Sequence, residues 1–179
     1  MMLLDSTEAR MSGAYQVTVG LLRDDEVEAL QQLAEAIWKI SYQTLISPAQ
    51  IDYMLSQRYQ PALLRQLLAR GDRIFAARAD RELVGFAHAF RADATQCKLD
   101  KLYVRHDLQR HGIGALLLEA VEDYARRQDC EHLTLRVNKH NHQALATYQK
   151  YGFTREADVI EDIGGDFVMD DFVLIKPLS

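Results

Sequence analysis

The chain has 179 residues, 48% of them hydrophobic and 26% charged, with a formal net charge of −5. That balance suits one globular domain and excludes a disordered tail, while the acidity argues against a non-specific binder of nucleic acid or membrane, which needs a cationic footprint. No run of about 18 apolar residues offers a membrane span, the start Met1-Met2-Leu3-Leu4 lacks the form of a signal peptide, and the two cysteines, Cys97 and Cys130, give no disulfide framework and fit a reduced, cytoplasmic setting.

Residues 1 to 13 read as a loose tail before a single domain over residues 14 to 179. Tyr15 to Leu22 alternates as a strand, and Asp24 begins a helix whose stripe is Val27, Leu30, Leu33, Ala34, Ile37 and Trp38. Ser47-Pro48 opens a second helix, with a Ser cap and Pro at its first position, burying Ile51, Met54 and Leu55. Pro61 to Ala69 forms a third, stopped by Gly71. Ile74 to Ala79 and Glu82 to Ala92 read as strands meeting in a hairpin at Asp80-Arg81, and Cys97 to Val104 as a further strand. A helix then runs from near Gly112 to about Gln128, followed by a strand over His132 to Val137 and a short helix over Asn141 to Lys150. Two last strands, Thr154 to Glu161 and Asp166 to Lys176, flank a Gly164-Gly165 turn. Hairpins followed by helical crossovers predict an α/β chain built on a mixed sheet with helices on both faces.

The stretch Val104 to Ala115 has the chemistry of an anion site. A buried strand ends at Val104, a polar loop follows, and Gly112 and Gly114 open an amphipathic helix. The first N–H groups of a helix lack intrahelical partners and carry the positive end of its dipole, and glycines let a phosphate approach the backbone. Arg105, Arg110 and His111 add local positive charge. The stretch is not a P-loop, because no Gly-Lys-Ser/Thr follows, and not a dinucleotide fingerprint, because Leu117 stands where a small residue is needed. By itself Gly-x-Gly fits an ordinary tight strand-to-helix turn equally well.

The form Val104-x-x-x-x-Gln109-x-x-Gly112-x-Gly114 resembles the acetyl-CoA signature of the GNAT N-acetyltransferase superfamily, and Asn141-x-x-Ala144-x-x-x-Tyr148-x-x-x-Gly152-Phe153 resembles that family's later helix and the turn after it. The resemblance covers about residues 15 to 176 and is strongest from 98 to 153. It implies the GNAT fold, a splayed mixed sheet, with acetyl-CoA as cosubstrate and no metal. It also implies that the turn of Gln109, Arg110, His111, Gly112, Ile113, Gly114 and Ala115 holds the pyrophosphate. The backbone of Leu102, Tyr103 and Val104 would bond the pantetheine arm and supply the donor to the reacting carbonyl, and Asn141 would contact the arm or the acetyl end. Attack by the amine is direct in this family, so neither cysteine is needed as a nucleophile. Tyr148 takes the position of the acid that protonates the leaving thiolate, and a phenol is protonated at neutral pH. Packing on the sheet is the competing reading of Tyr148.

Asp100, two residues before Leu102, is expected on the same strand face as Leu102 and Val104. It is the candidate base or ammonium partner, although glutamate is more usual there. A simple ion pair with Lys98 or Arg105 is the competing reading. Trp38, Tyr42 and Tyr53 fall where the family builds its acceptor wall, with core packing as the competing reading for Trp38. Between Arg155 and Asp171 stand seven carboxylates and one arginine, either a solvated turn or a field attracting a cationic acceptor. The overall layout is similar to bacterial polyamine acetyltransferases, which makes a polyamine the first expected acceptor and a protein N-terminus or lysine the second. A non-catalytic CoA-binding regulator is a third reading. His140 and His142 lack the i, i+4 spacing of metal ligands. Homodimers are common in the family, and no residue here specifies one.

Overall fold

In the computed structural model, which describes residues 9–12 and 14–179, eight strands form one sheet in the order β1-β2-β3-β4-β5-β6-β8-β7. The strands are β1 (Ala9–Ser12), β2 (Tyr15–Leu21), β3 (Arg73–Ala79), β4 (Glu82–Arg91), β5 (Gln96–Val104), β6 (His132–Asn138), β7 (Thr154–Gly164) and β8 (Phe167–Pro177). Five helices connect them: α1 (Val27–Ser41), α2 (Pro48–Arg58), α3 (Pro61–Arg70), α4 (Ile113–Arg127) and α5 (His142–Lys150). Every neighbouring pair is antiparallel except β5 and β6. The mixed sheet with helices on both faces is the architecture expected from the sequence.

Of the expected tail, residues 1–8 and 13 lie outside the described residues, and Ala9–Ser12 departs from that expectation by forming a strand with Ala9 opposite Thr18. Ala9, Arg10 and Met11 are exposed at the sheet edge, so this strand is held by backbone pairing and carries no apolar alternation to announce it. α1 starts three residues later than Asp24, because Asp24–Glu26 forms a 3-10 turn. Glu26 turns inward there to accept hydrogen bonds from Arg78 at 2.6 and 2.5 Å. The start of α2 and the end of α3 follow their local chemistry. The Ser47 side chain accepts from the Gln50 N–H at 3.1 Å, and Gly71 closes α3 at φ +103°, a left-handed position that suits glycine.

Two cores lie on opposite faces of the sheet. Leu30, Ile37, Trp38, Met54 and Leu64 of α1–α3 pack on Ile74 and Phe86, while Leu117 and Val121 of α4 pack with Leu99, Leu133, Leu135 and Phe153, joined by Leu145 and Tyr148 of α5. Each such side chain contributes roughly 1.5–3 kcal/mol when fully buried. Two irregularities open the sheet near its centre. β5 and β6 pair only from Gln96↔His132 to Leu99↔Leu135, after which both continue without pairing to each other. At the same point a bulge in β5 moves its register with β4 from Ala89↔Leu99 to His88↔Lys101. An extra residue in one strand reverses the alternation beyond it.

Candidate active site

The parting of β5 and β6 leaves a cleft, and the turn into α4 lies at the end of β5. Gly112 caps α4 at φ +82°, and Arg110 two residues before it stands at φ +65°. Such alternation around a helix start turns successive N–H groups toward one concavity that suits an anion. Ile113 is buried and anchors the first turn. A Cβ at Gly114 would meet only Val104 Cγ2, at 3.9 Å, so the protein's own packing does not require glycine there. The small residue leaves the helix start open, which fits a pyrophosphate. Ala115, also small, is half-buried in the same turn.

Around this turn the predicted residues divide. Leu102 and Val104 pack toward α4. Gln109 serves the turn itself, its side-chain amide donating to the Val104 carbonyl at 3.2 Å, and His111 Nδ1 lies 2.9 Å from the Gln109 carbonyl. Arg105 is already spent on Glu82 at 2.8 Å and Asp107 at 2.7 Å, so the basic turn is weaker than its composition suggests. Arg110 is exposed and makes no ion pair among the described residues.

Asn141 caps α5, its side-chain oxygen accepting from the Ala144 N–H at 3.2 Å, which leaves its NH2 group for another partner. Two turns on, Tyr148 packs its ring edge-on to Phe153, centroids 5.6 Å apart, and its hydroxyl makes no hydrogen bond among the described residues. Burial pushes this phenol above its ordinary pKa, with the nearby Tyr42 and Tyr151 hydroxyls acting the same way, so it holds its proton at neutral pH.

Tyr42 and Tyr103 face each other across the other side of the cleft, hydroxyls 3.0 Å apart. Trp38 stands behind them, stacked on Tyr42 at 4.3 Å and donating through its indole N–H to the Tyr59 hydroxyl at 3.0 Å. At 3% exposure Trp38 packs in the core. Tyr53 is tied to the last hairpin. Its hydroxyl donates to the Ile163 carbonyl at 2.9 Å and its ring lies against Phe167, so it fastens the β7–β8 hairpin to α2. The turn needs glycine for that contact, since a Cβ at Gly164 would approach the Tyr53 hydroxyl to 2.5 Å.

The bulge corrects the placement of Asp100. It does not share a face with Leu102 and Val104. It lies with His88, 3.4 Å from Nδ1, on the face covered by α1–α3. Lys101 donates to it at 2.5 Å and Lys98 lies 3.4 Å away, while Arg105 does not reach it. Burial would raise this carboxyl, but the hydrogen bond from His88 and the charges of Lys101 and Lys98 outweigh it and hold Asp100 well below the carboxylate range. A carboxylate held so firmly ionised is a weak proton acceptor. The cluster extends to Asp72, 2.6 Å from His88 Nε2 and bonded by Arg70 at 2.9 and 2.7 Å. Sequence reasoning missed His88 and Lys101, because a two-residue period carries no sign of a bulge.

Asp171 was read only as one charge of an acidic hairpin. Three of the six other carboxylates there are paired: Glu161 with Arg136, Asp158 with Arg155, and Asp170 with Lys139 at 2.5 Å. Asp171 is 6% exposed, and its Oδ1 is buried without a hydrogen-bond partner.

The model of the acetyltransferase (GNAT) family matches residues 28–153. A spermidine N(1)-acetyltransferase of Thermoplasma acidophilum is 26% identical over 160 residues, covering 86% of this chain and 96% of that protein. Among solved structures, the PaiA N-acetyltransferase of Thermoplasma acidophilum in complex with coenzyme A superposes with a TM-score of 0.78 at 23% identity, covering 90% of this chain and 99% of that one. The ribosomal-protein-S18-alanine N-acetyltransferase of Escherichia coli gives 0.70 at 18% identity, covering 92% and 95%.

Proposed function

The chain belongs to the acetyltransferase (GNAT) family, and from that premise we propose that it transfers the acetyl group of acetyl-CoA to a primary amine of a polyamine, with Tyr148 as general acid. When bound, acetyl-CoA supplies the acetyl group already activated as a thioester. The α4 turn from Gln109 to Ala115 would hold its pyrophosphate, and the unpaired side of Leu102–Val104 would bond its pantetheine arm as an added strand. A backbone N–H of the same segment would donate to the carbonyl oxygen as charge builds there, and Asn141 would offer its free NH2 group.

The observation that carries this reading is the Tyr148 hydroxyl: protonated, without a partner among the described residues, and on the helix bordering the cleft where β5 and β6 part. The attacking nitrogen would give up its protons through water to solvent, Tyr148 would deliver its own proton to the departing sulfur as the C–S bond breaks, and the tyrosinate is then reprotonated from solvent. The cysteines stay outside the chemistry. Burial pushes the Cys97 thiol up to about 12, which leaves almost no thiolate at neutral pH. Both cysteines are free and buried, in keeping with a reduced, cytoplasmic setting.

The polyamine rests on the similarity to a spermidine acetyltransferase and on the acidic hairpin beside the cleft. Incubating the protein with acetyl-CoA and a panel of spermidine, spermine, lysine peptides and free N-terminal peptides, with products weighed by mass spectrometry, tests it. Acetylated polyamine is the expected product. Acetylation confined to peptides would move the substrate to proteins, and CoA binding without any product would make the chain a regulator.

A further inference from the structure

We propose that Asp171 is the acceptor's ammonium site: a buried carboxylate on β8 that receives the cationic nitrogen of the incoming amine. The inference rests on the acetyltransferase reading of the cleft and goes beyond it by naming the group that selects the acceptor. Asp171 pairs across the sheet with Asn138 at the end of β6, beyond Leu135 where β6 has left β5, and with Val159 of β7. Its neighbours Phe172 and Leu174 pack on the core beneath α4 and α5. Alternation therefore turns Asp171 to the opposite face, where Met169 packs with α1 and α2 and where the charge of Asp171 acts on Tyr42. This is the face of the Tyr42–Tyr103 hydroxyl pair, and Tyr42 feels the charge of the carboxylate.

A charge in such a position is unfavourable unless something completes it. Burying an ionised carboxylate without a partner costs several kcal/mol in the free protein. Asp171 is 6% exposed, and its Oδ1 has no hydrogen-bond partner. The nearby cations do not satisfy it. Arg136 pairs with Glu161, and Arg58 acts on its charge without closing an ion pair among the described residues. Burial raises the Asp171 carboxyl, Arg136 and Arg58 oppose that rise, and Asp170 and Glu161 reinforce it. An alkylammonium, with three donors on a compact centre, supplies what Oδ1 lacks. The hairpin that carries Asp171 is held in place by two contacts from α2: Tyr53 to the Ile163 carbonyl at 2.9 Å and the Gln50 amide to the Val168 carbonyl at 3.2 Å. The site is thus built on fastened strands.

The test is Asp171→Asn in the full chain, with Asp171→Glu beside it. Steady-state rates are measured with whichever amine the wild type acetylates best, together with calorimetric titration of that amine and of CoA. Losing one charged hydrogen bond predicts roughly a tenfold to hundredfold rise in KM for the amine. It also predicts loss of amine heat, unchanged CoA affinity, and partial recovery in Asp171→Glu. Because the wild-type carboxylate is unpaired, Asp171→Asn should melt no lower than the wild type, an outcome that a merely structural role would reverse. An unchanged KM in a folded Asp171→Asn overturns the proposal, and so does a lowered melting temperature with intact amine binding. If the wild type acetylates peptides instead of polyamines, the polyamine reading fails while this one is still decided by the same comparison.

Discussion

Removing the Tyr148 hydroxyl in Tyr148→Phe keeps the ring that packs on Phe153 and deletes only the proton that the leaving sulfur would take. Losing a positioned acid costs about 10²–10⁴-fold, so kcat should fall by that order while CoA titrates as before, and unchanged turnover would remove Tyr148 from the chemistry. The place of Tyr148 on α5 was legible in the sequence because the Asn141–Tyr148–Gly152 spacing lies within one helix and the turn after it, where local order decides position. Asp100 and Asp171 were not legible in the same way. What each carboxylate does depends on partners from distant elements: His88 and two lysines for Asp100, no ion pair among the described residues for Asp171. The same holds for Trp38 and Tyr53, whose hydrogen-bond partners come from other segments of the chain.

The turn between β5 and α4 separates two jobs that the Gly-x-Gly pattern merges. Gly112 stands at φ +82°, where an L-residue costs roughly 1–2 kcal/mol, whereas Gly114 is helical and a Cβ there would meet only Val104, at 3.9 Å. Gly112→Ala should therefore lower the melting temperature and weaken CoA. Gly114→Ala should leave the melting temperature unchanged or slightly raised, since alanine favours helix, and still weaken CoA. Equal CoA affinity in wild type and Gly114→Ala would show that the pyrophosphate does not rest on this helix start. Most elements could be read from periodicity and caps because their apolar faces repeat along the chain. The bulge at Asp100 and the parting of β5 from β6 could not, because they arise from how strands meet, and β1 could not because edge pairing uses backbone alone.

For the whole molecule, buried charge ties stability to pH. Glu26 is held below its ordinary 4.5: burial would raise it, but the hydrogen bonds and charges of Arg78 and Arg23 prevail. Asp72 and Asp100 are likewise held below 3.8, burial being outweighed by Arg70 and His88 for the first and by His88 and Lys101 for the second. A carboxylate with a depressed folded pKa contributes stability above its unfolded value and loses it as pH falls through the folded one. The denaturation midpoint should thus be flat near neutrality and drop progressively below about pH 4.5, with Glu26→Gln less stable at neutral pH and less sensitive to acid. A midpoint that holds steady down to pH 3 would contradict the paired assignment. The proposed function comes down to one cleft, opened where the sheet splays, to whose borders we assign an anion turn, an acid and an acceptor carboxylate. The most direct test is the initial rate of free-thiol release from acetyl-CoA as amine and acetyl-CoA are varied together. One-step transfer in the cleft predicts amine-dependent release with intersecting reciprocal plots and no acetyl group on the chain. Parallel plots with an acetylated chain, or no amine-dependent release while CoA still binds, would contradict it.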